Sequence, residues 1–118
     1  MDALDCIRNR RSIRSFLSKE VDFEKIGNLL DAARVAPSAG NLQDWKFIII
    51  YERDVKQKIA DACAHQEWIA SAPLIIVVCA DVAKDTDFYG PRGEFYAIQA
   101  ASAATQNILL AATATGLG

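Results

Sequence analysis

Residues Glu94 to Thr115 make a run of twenty-two positions, eight of them alanine. Alanine is the best helix former, so the run reads as one long helix. At about 1.5 Å per residue it would span roughly 33 Å. Small side chains on several faces let neighbours approach closely. That predicts a helix buried at the centre of the fold or at a subunit interface. Gly116 suits the position just past a helix end. A chain of 118 residues organised around such a helix is one small domain, residues 1–118.

The other elements are shorter. Leu4 and Ile7 lie three apart and suggest a first helix from Asp2 to about Arg8. Asn9 to Val21 mixes Arg, Ser and Lys and reads as a loop. Asp22 is a good N-cap, and Phe23, Ile26, Leu29, Leu30 and Ala33 then share one helical face. Pro37 ends this helix by Val35 or Ala36, because the residue before proline avoids helical geometry. "PSAGN", residues 37–41, is rich in turn formers. Trp45 to Tyr51 is β-branched and aromatic, which suits a strand. Asp54 opens a helix to about Ala64, with Val55, Ile59 and Ala62 or Cys63 on its inner face. "LIIVVCA", residues 74–80, lacks alternation and predicts a strand buried on both faces. Residues 83–93 read as a second polar loop.

These elements give an α+β class, with only two convincing strands. Two strands are too few for a central sheet, and the chain ends on Gly-Leu-Gly, which normally leads into another element. The expectation is a truncated fold, or one that takes strands from elsewhere.

Composition narrows the function classes. Hydrophobic residues make up 52% and charged residues 24%, enough apolar surface for a core. Net charge is −2, so the basic excess of a nucleic-acid binder is absent. The three cysteines, Cys6, Cys63 and Cys79, are widely spaced and form no CxxC. That argues against a disulfide framework and a zinc site, and the expected compartment is a reducing cytoplasm. No apolar signal region is seen, and residues 74–80 are too short to span a bilayer. His65 is the only histidine and supports no metal site. Cys63 and Cys79 sit in apolar runs and are expected in the core. Trp45 is expected to pack at the strand start and Trp68 at the core edge.

Against this acidic background, Arg8, Arg10, Arg11 and Arg14 fall within seven positions around Ser12. Basic residues after a helix can complement its C-terminal dipole or solvate a loop. Arginine forks can also bind a phosphate bidentately.

Three ordered stretches decide which reading is favoured. "RNRRSIRSF" (8–16), "APSAGNLQDWKFIII" (36–50) and "YGPRGEFYAIQAASAATQNILLAATATGLG" (89–118) together resemble the nitroreductase family of flavoproteins. The resemblance covers nearly the whole chain. It implies a nitroreductase-like fold, with a central mixed sheet flanked by helices and apparently lacking its C-terminal part. It also implies a homodimer that binds FMN at the subunit interface. The activity implied is hydride transfer from NADH or NADPH, through the flavin, to nitroaromatic, quinone or related acceptors by a ping-pong mechanism. Arg10, Arg11 and Ser12 would sit at the phosphate and ribityl end, and Arg14 near the pyrimidine edge of the ring. Pro37, Ser38 and Ala39 would bring backbone close to the ring. Asn41 and Gln43 would offer amides to its polar edge, with this loop coming from the other subunit. Apart from the resemblance, Phe88 and Tyr89 read as aromatics of a flexible loop placed to gate a planar substrate. No side chain is assigned as a catalytic acid or base, since hydride transfer is mostly a matter of positioning.

The chain departs from the family pattern at Asp44, where proline is common, and at Ala100, where an acidic residue is frequent. Asp44 would add negative charge near the proposed ring site. Two other readings stand beside the first. One is a relative with different flavin chemistry, such as dehalogenation or flavin breakdown. The other is a non-enzymatic, truncated dimerisation module.

Overall fold

The computed structural model describes all 118 residues, Met1–Gly118. The helices are α1 (Ala3–Asn9), α2 (Phe23–Arg34), α3 (Arg53–Ala62), α4 (Glu67–Ala70), α5 (Val82–Tyr89) and α6 (Gly93–Ala114). The strands are β1 (Trp45–Ile50) and β2 (Ile75–Ala80). Short 3-10 turns occupy Ala39–Asn41 and Gly90–Arg92.

The long alanine-rich helix forms as its composition predicts. Gly93, Ala97, Ala100, Ala104, Ile108 and Ala112 recur every three to four residues and are buried. The helix is therefore buried along one stripe only. Phe95, Ile98 and Leu109 on its other faces are exposed. The C-terminal part of the buried stripe lies against α2, and its start at Gly93 lies against α5. Leu29, Ala33 and Ala36 meet Ala104, Ile108 and Ala112, with Trp45, Phe47, Ile76 and Val78 packed on the cluster from the sheet. Alanines at the contact keep the two helix axes close, as small side chains do. Asn107 Nδ2 donates to the carbonyl of Ala32 at 2.9 Å and fixes the relative height of α2 and α6.

β1 and β2 pair antiparallel, with Trp45 opposite Ala80 and Ile50 opposite Ile75. This single pair is the whole sheet of the chain. The expected mixed sheet is represented here by two of its strands. Every residue of β2 is half-buried, not buried on both faces as the apolar run suggests. An apolar face on a two-stranded sheet has too few neighbours to be fully covered.

Three further expectations are corrected. Residues 83–93 are not a loop, because α5 occupies Val82–Tyr89. Its start is set by Asp81, whose side chain accepts from the Lys84 amide. Its end is set by Gly90 at φ 68°, ψ −146°, a region open essentially to glycine alone. Cys63 is exposed rather than in the core, because α3 ends at Ala62 and the chain turns outward there. Asp22 precedes α2 as expected but makes no side-chain cap bond. Helix α4, which the sequence reading passes over, is only four residues long and carries Trp68.

No helix is long and apolar enough to cross a membrane.

Candidate functional site

Two segments carry the candidate residues. The first follows α1. Its backbone leaves the helix at Arg10, and Arg11, Ser12 and Arg14 are exposed while Arg10 is half-buried. Arg11 Nη1 donates to the carbonyls of Arg8 and Arg10 at 2.9 Å each. One amino group of Arg11 therefore serves the helix end, where a positive charge is favourable. Arg10 Nη1 reaches Ser12 Oγ at 3.5 Å. The Arg14 guanidinium lies 5.7 Å from the centre of the Trp68 ring, which in turn meets Phe16. Trp68 is thus a platform for Arg14 at the core edge, held out by α4.

None of these arginines has a carboxylate partner. The ion pairs of the chain are Asp31–Arg34, Lys46–Asp81 and Asp61–His65. In a chain with more acidic than basic residues, four unpaired guanidinium groups in seven positions are a concentrated anion-binding potential.

The second segment is Pro37–Gln43. Ser38 organises it: Ser38 Oγ accepts from the Gln43 amide at 3.1 Å, and the Ser38 carbonyl accepts from the Asn41 amide at 3.0 Å. The tight turn forces left-handed backbone at Gly40, Asn41 and Gln43, with φ of 60°, 53° and 49°. Glycine takes this region freely and asparagine tolerates it, but glutamine does so at a cost of roughly 1–2 kcal/mol. Strain of this kind collects where a loop presents groups to a ligand. The side-chain amides of Asn41 and Gln43 are exposed and make no hydrogen bond within the chain. Ser38 is occupied inside the loop, so its proposed role is structural support of that presentation.

Behind the loop stands α5. Tyr89 at its end packs edge-on against Phe88 and Tyr96, at 4.8 and 5.1 Å between ring centres. A Cβ on Gly40 would lie 2.6 Å from Tyr89 Oη. Tyr89 therefore backs the loop, on a helix and not in a flexible segment. Phe88 projects outward, 67% exposed. Gly40→Ala combines this contact with left-handed backbone and should cost about 1–2 kcal/mol. Thermal unfolding of G40A beside the G40A/Y89F double variant checks this. An unchanged melting temperature in G40A would show that the loop is not held there.

Asp44, expected to add charge near the proposed ring site, is buried instead of displayed. Its side chain is only 2% exposed and is turned inward, so its charge is not displayed beside the loop. It meets Asp85 of α5, which is 1% exposed. The Asp85 carboxyl is pushed up from its ordinary value to about 6. Burial is the main cause, followed by the hydrogen bond and the charge of Asp44; Asp81 adds to the effect and Lys84 opposes it. The sequence signal for Asp85 was its place four residues after the Asp81 cap, on the inner side of α5.

The arginine segment and the Pro37–Gln43 loop share no hydrogen bond or ion pair within the chain. Folding of the single chain does not bring them together through polar contacts.

A family model described as "Nitroreductase family" matches residues 7–67 and 62–118, nearly the entire chain. The chain belongs to the nitroreductase family. A candidate NADH dehydrogenase/NAD(P)H nitroreductase of Methanothermobacter thermautotrophicus is 39% identical over all of this chain and 59% of its own length. An FMN reductase [NAD(P)H] of Bacillus subtilis is 31% identical over 68% of this chain and 32% of its own length. Among solved structures, a candidate NADH dehydrogenase/NAD(P)H nitroreductase from Bacteroides thetaiotaomicron is 38% identical with a TM-score of 0.87, covering 98% of this chain and 64% of that one. The chain thus has the nitroreductase α+β fold and spans about three fifths of the length of such relatives. In nitroreductase terms, the unpaired arginines and the strained loop occupy the stretches on which the resemblance rested.

Proposed function

We propose that this nitroreductase-family chain is the N-terminal portion of an FMN-dependent oxidoreductase that uses NAD(P)H. The observation that carries the reading is the set of arginines after α1, none of them paired with a carboxylate. A phosphate monoester is the ligand their planar forks match. The donor set fits FMN: guanidinium groups of Arg10 and Arg11 with Ser12 for the phosphate and ribityl chain, Arg14 for the pyrimidine edge, and free amides on Asn41 and Gln43. Pro37, Ser38 and Ala39 shape the backbone that approaches the flat ring.

When bound, FMN supplies the two-electron chemistry that links NAD(P)H oxidation to reduction of a nitroaromatic, quinone or related acceptor. The protein's part is positioning. Arg14, held over Trp68, would offer its positive charge to the pyrimidine edge of the ring and so favour the reduced flavin. Ser38 holds Asn41 and Gln43 in the left-handed geometry that exposes their amides. Phe88 is available to meet a planar acceptor. A ping-pong order follows from one pocket serving donor and acceptor in turn.

The reading includes a homodimer. The two candidate segments make no polar contact within one protomer, and Phe95, Ile98 and Leu109 of α6 are exposed apolar groups beyond the core stripe. A partner's loop completing the site would satisfy both observations.

The test uses the natural full-length protein. A visible flavin spectrum bleached by NADH or NADPH supports the reading, and a colourless protein that cannot be reconstituted with FMN overturns it. Arg10→Ala should weaken FMN binding about 10- to 100-fold, the loss of one charge-assisted hydrogen-bonded group. Fluorescence titration measures this. An unchanged dissociation constant would remove Arg10 from the phosphate site.

A further inference from the structure

The loop that carries Asn41 and Gln43 is joined to α5 at three points. Tyr89 Oη lies against Gly40. The Asp81 amide donates to the Asp44 carbonyl at 2.7 Å. The Asp44 carboxyl meets the Asp85 carboxyl in the interior. The third joint is chemically unlike the others. All four carboxyl oxygens are buried, and no N–H or hydroxyl of the protein reaches any of them. Two ionised carboxylates cannot hydrogen-bond each other, since both only accept. One proton between them supplies the single donor that joins them.

We propose that Asp44 and Asp85 share a proton, and that this bond positions the Pro37–Gln43 loop against α5, so that the loop is released when the proton is lost. Asp44 and Asp85 are positioning residues and touch no reacting atom. The inference rests on the flavin reading only where FMN affinity is the readout.

The surroundings fix how the pair titrates. From α5, Lys84 favours ionisation and Asp81 opposes it. From β1, Lys46 stands 4.0 Å from Asp81 and is spent on it. From α6 the residue against Asp85 is Gly93, which carries no charge. No cation therefore lies between the two carboxyls, and a proton is the species that relieves their repulsion. The pair releases that proton as one unit, with an apparent value near 6 assigned to Asp85. The hold on the loop is complete below 3.8 and weakens as pH rises to about 6. Above it, two buried like charges push the loop from the helix.

The geometry also limits the response. Asn41 and Gln43 already sit in left-handed backbone. Loss of the Asp44 anchor lets them relax to commoner conformations, which withdraws the amides they present.

The experiment is a carbon-detected NMR titration of aspartate carboxyls in the full-length protein without FMN, combined with amide hydrogen exchange of residues 41–43. In the wild type, one carboxyl should titrate near 6, and loop protection should fall about tenfold from about pH 4 to about pH 7 after correction for intrinsic exchange. That lies within the ~100-fold ceiling set by the raised value. Asp85→Asn replaces the shared proton with a permanent amide donor, so its loop protection should stay flat across this range. Asp44→Asn should do the same from the other side. If either variant fails to fold, the wild-type titration and exchange decide alone. Ordinary titration of both carboxyls near 4, or loop protection independent of pH in the wild type, overturns the proposal. FMN affinity provides a separate arm. It should weaken from about pH 4 to about pH 6.5 in the wild type and not in Asp85→Asn. A wild type that binds no FMN at any pH defeats the flavin reading, while the titration and exchange still decide the clasp.

Discussion

Gly93→Ala is expected to destabilise the protein by about 3 kcal/mol, the upper end for overpacking. Gly93 begins α6 in ordinary helical backbone, so conformational freedom is not its purpose. The reason is steric. An added Cβ would run into the carbonyl group of Asp85 and the amide nitrogen of Thr86. These are backbone atoms inside α5, and they cannot swing away as a side-chain tip can. The methyl forces α5 and α6 apart, which disturbs Asp85 and the aromatic contact of Tyr89 with Tyr96. Chemical denaturation of G93A beside the wild type measures the loss. A cost below about 1 kcal/mol would mean that the helices adjust freely, contrary to the close packing expected of interiors. Larger residues at position 93 should be worse in order of size.

Asp85→Asn is expected to stabilise the protein above pH 6, by up to about 3 kcal/mol. The native carboxyl holds its proton up to about 6, whereas an unfolded one loses it near 3.8. Between these values the unfolded chain sheds its proton first, so wild-type stability falls as pH rises through the window. The difference of about two pKa units corresponds to roughly 3 kcal/mol. Below 3.8 both states are protonated and the contribution is complete. Asparagine cannot ionise, so its stability should be nearly level from pH 4 to 7.5. Urea denaturation at pH 4.5, 6 and 7.5 for both proteins reads this directly. A D85N variant that remains less stable than wild type at pH 7.5 would mean that the carboxylate has a favourable partner and that the interior tolerates both charges. The two predictions concern neighbouring atoms but opposite signs, so a general fragility of this region cannot produce both.

Much of this was legible in the residues. The alanine pattern of α6 announced a long helix, and its spacing at 97, 100, 104, 108 and 112 marks the buried stripe. β1 and β2 were announced by their β-branched runs. The arginine cluster and "PSAGN" stand out as candidate segments because the charge of one and the turn chemistry of the other are local properties, and it is the resemblance that proposes them as a site. What the residues did not disclose was long-range. Residues 83–93 carry polar groups, proline and glycines, and their local composition suits a loop. The capping bond of Asp81 and packing against α6 turn Val82–Tyr89 into a helix instead. Nothing in the residues around Asp44 announced its burial, because aspartate is usually exposed. Only the arrival of Asp85, forty-one positions later in the chain, makes its burial intelligible. Cys63 shows the reverse error, since an apolar neighbourhood in sequence proved to be a helix end facing solvent.

The hydrogen bond from Asn107 to Ala32 joins residues 75 positions apart. That separation has a meaning during synthesis. A ribosome adds about 5–20 residues per second, so α2 is made about 4–15 s before its partner on α6 exists. In that interval Leu29, Ala33 and Ala36 have no surface to bury against, and β1 waits for β2. The nascent chain must therefore pass through a period with its future interior open to solvent. Its first opportunity to close comes only when the alanine-rich helix leaves the exit tunnel.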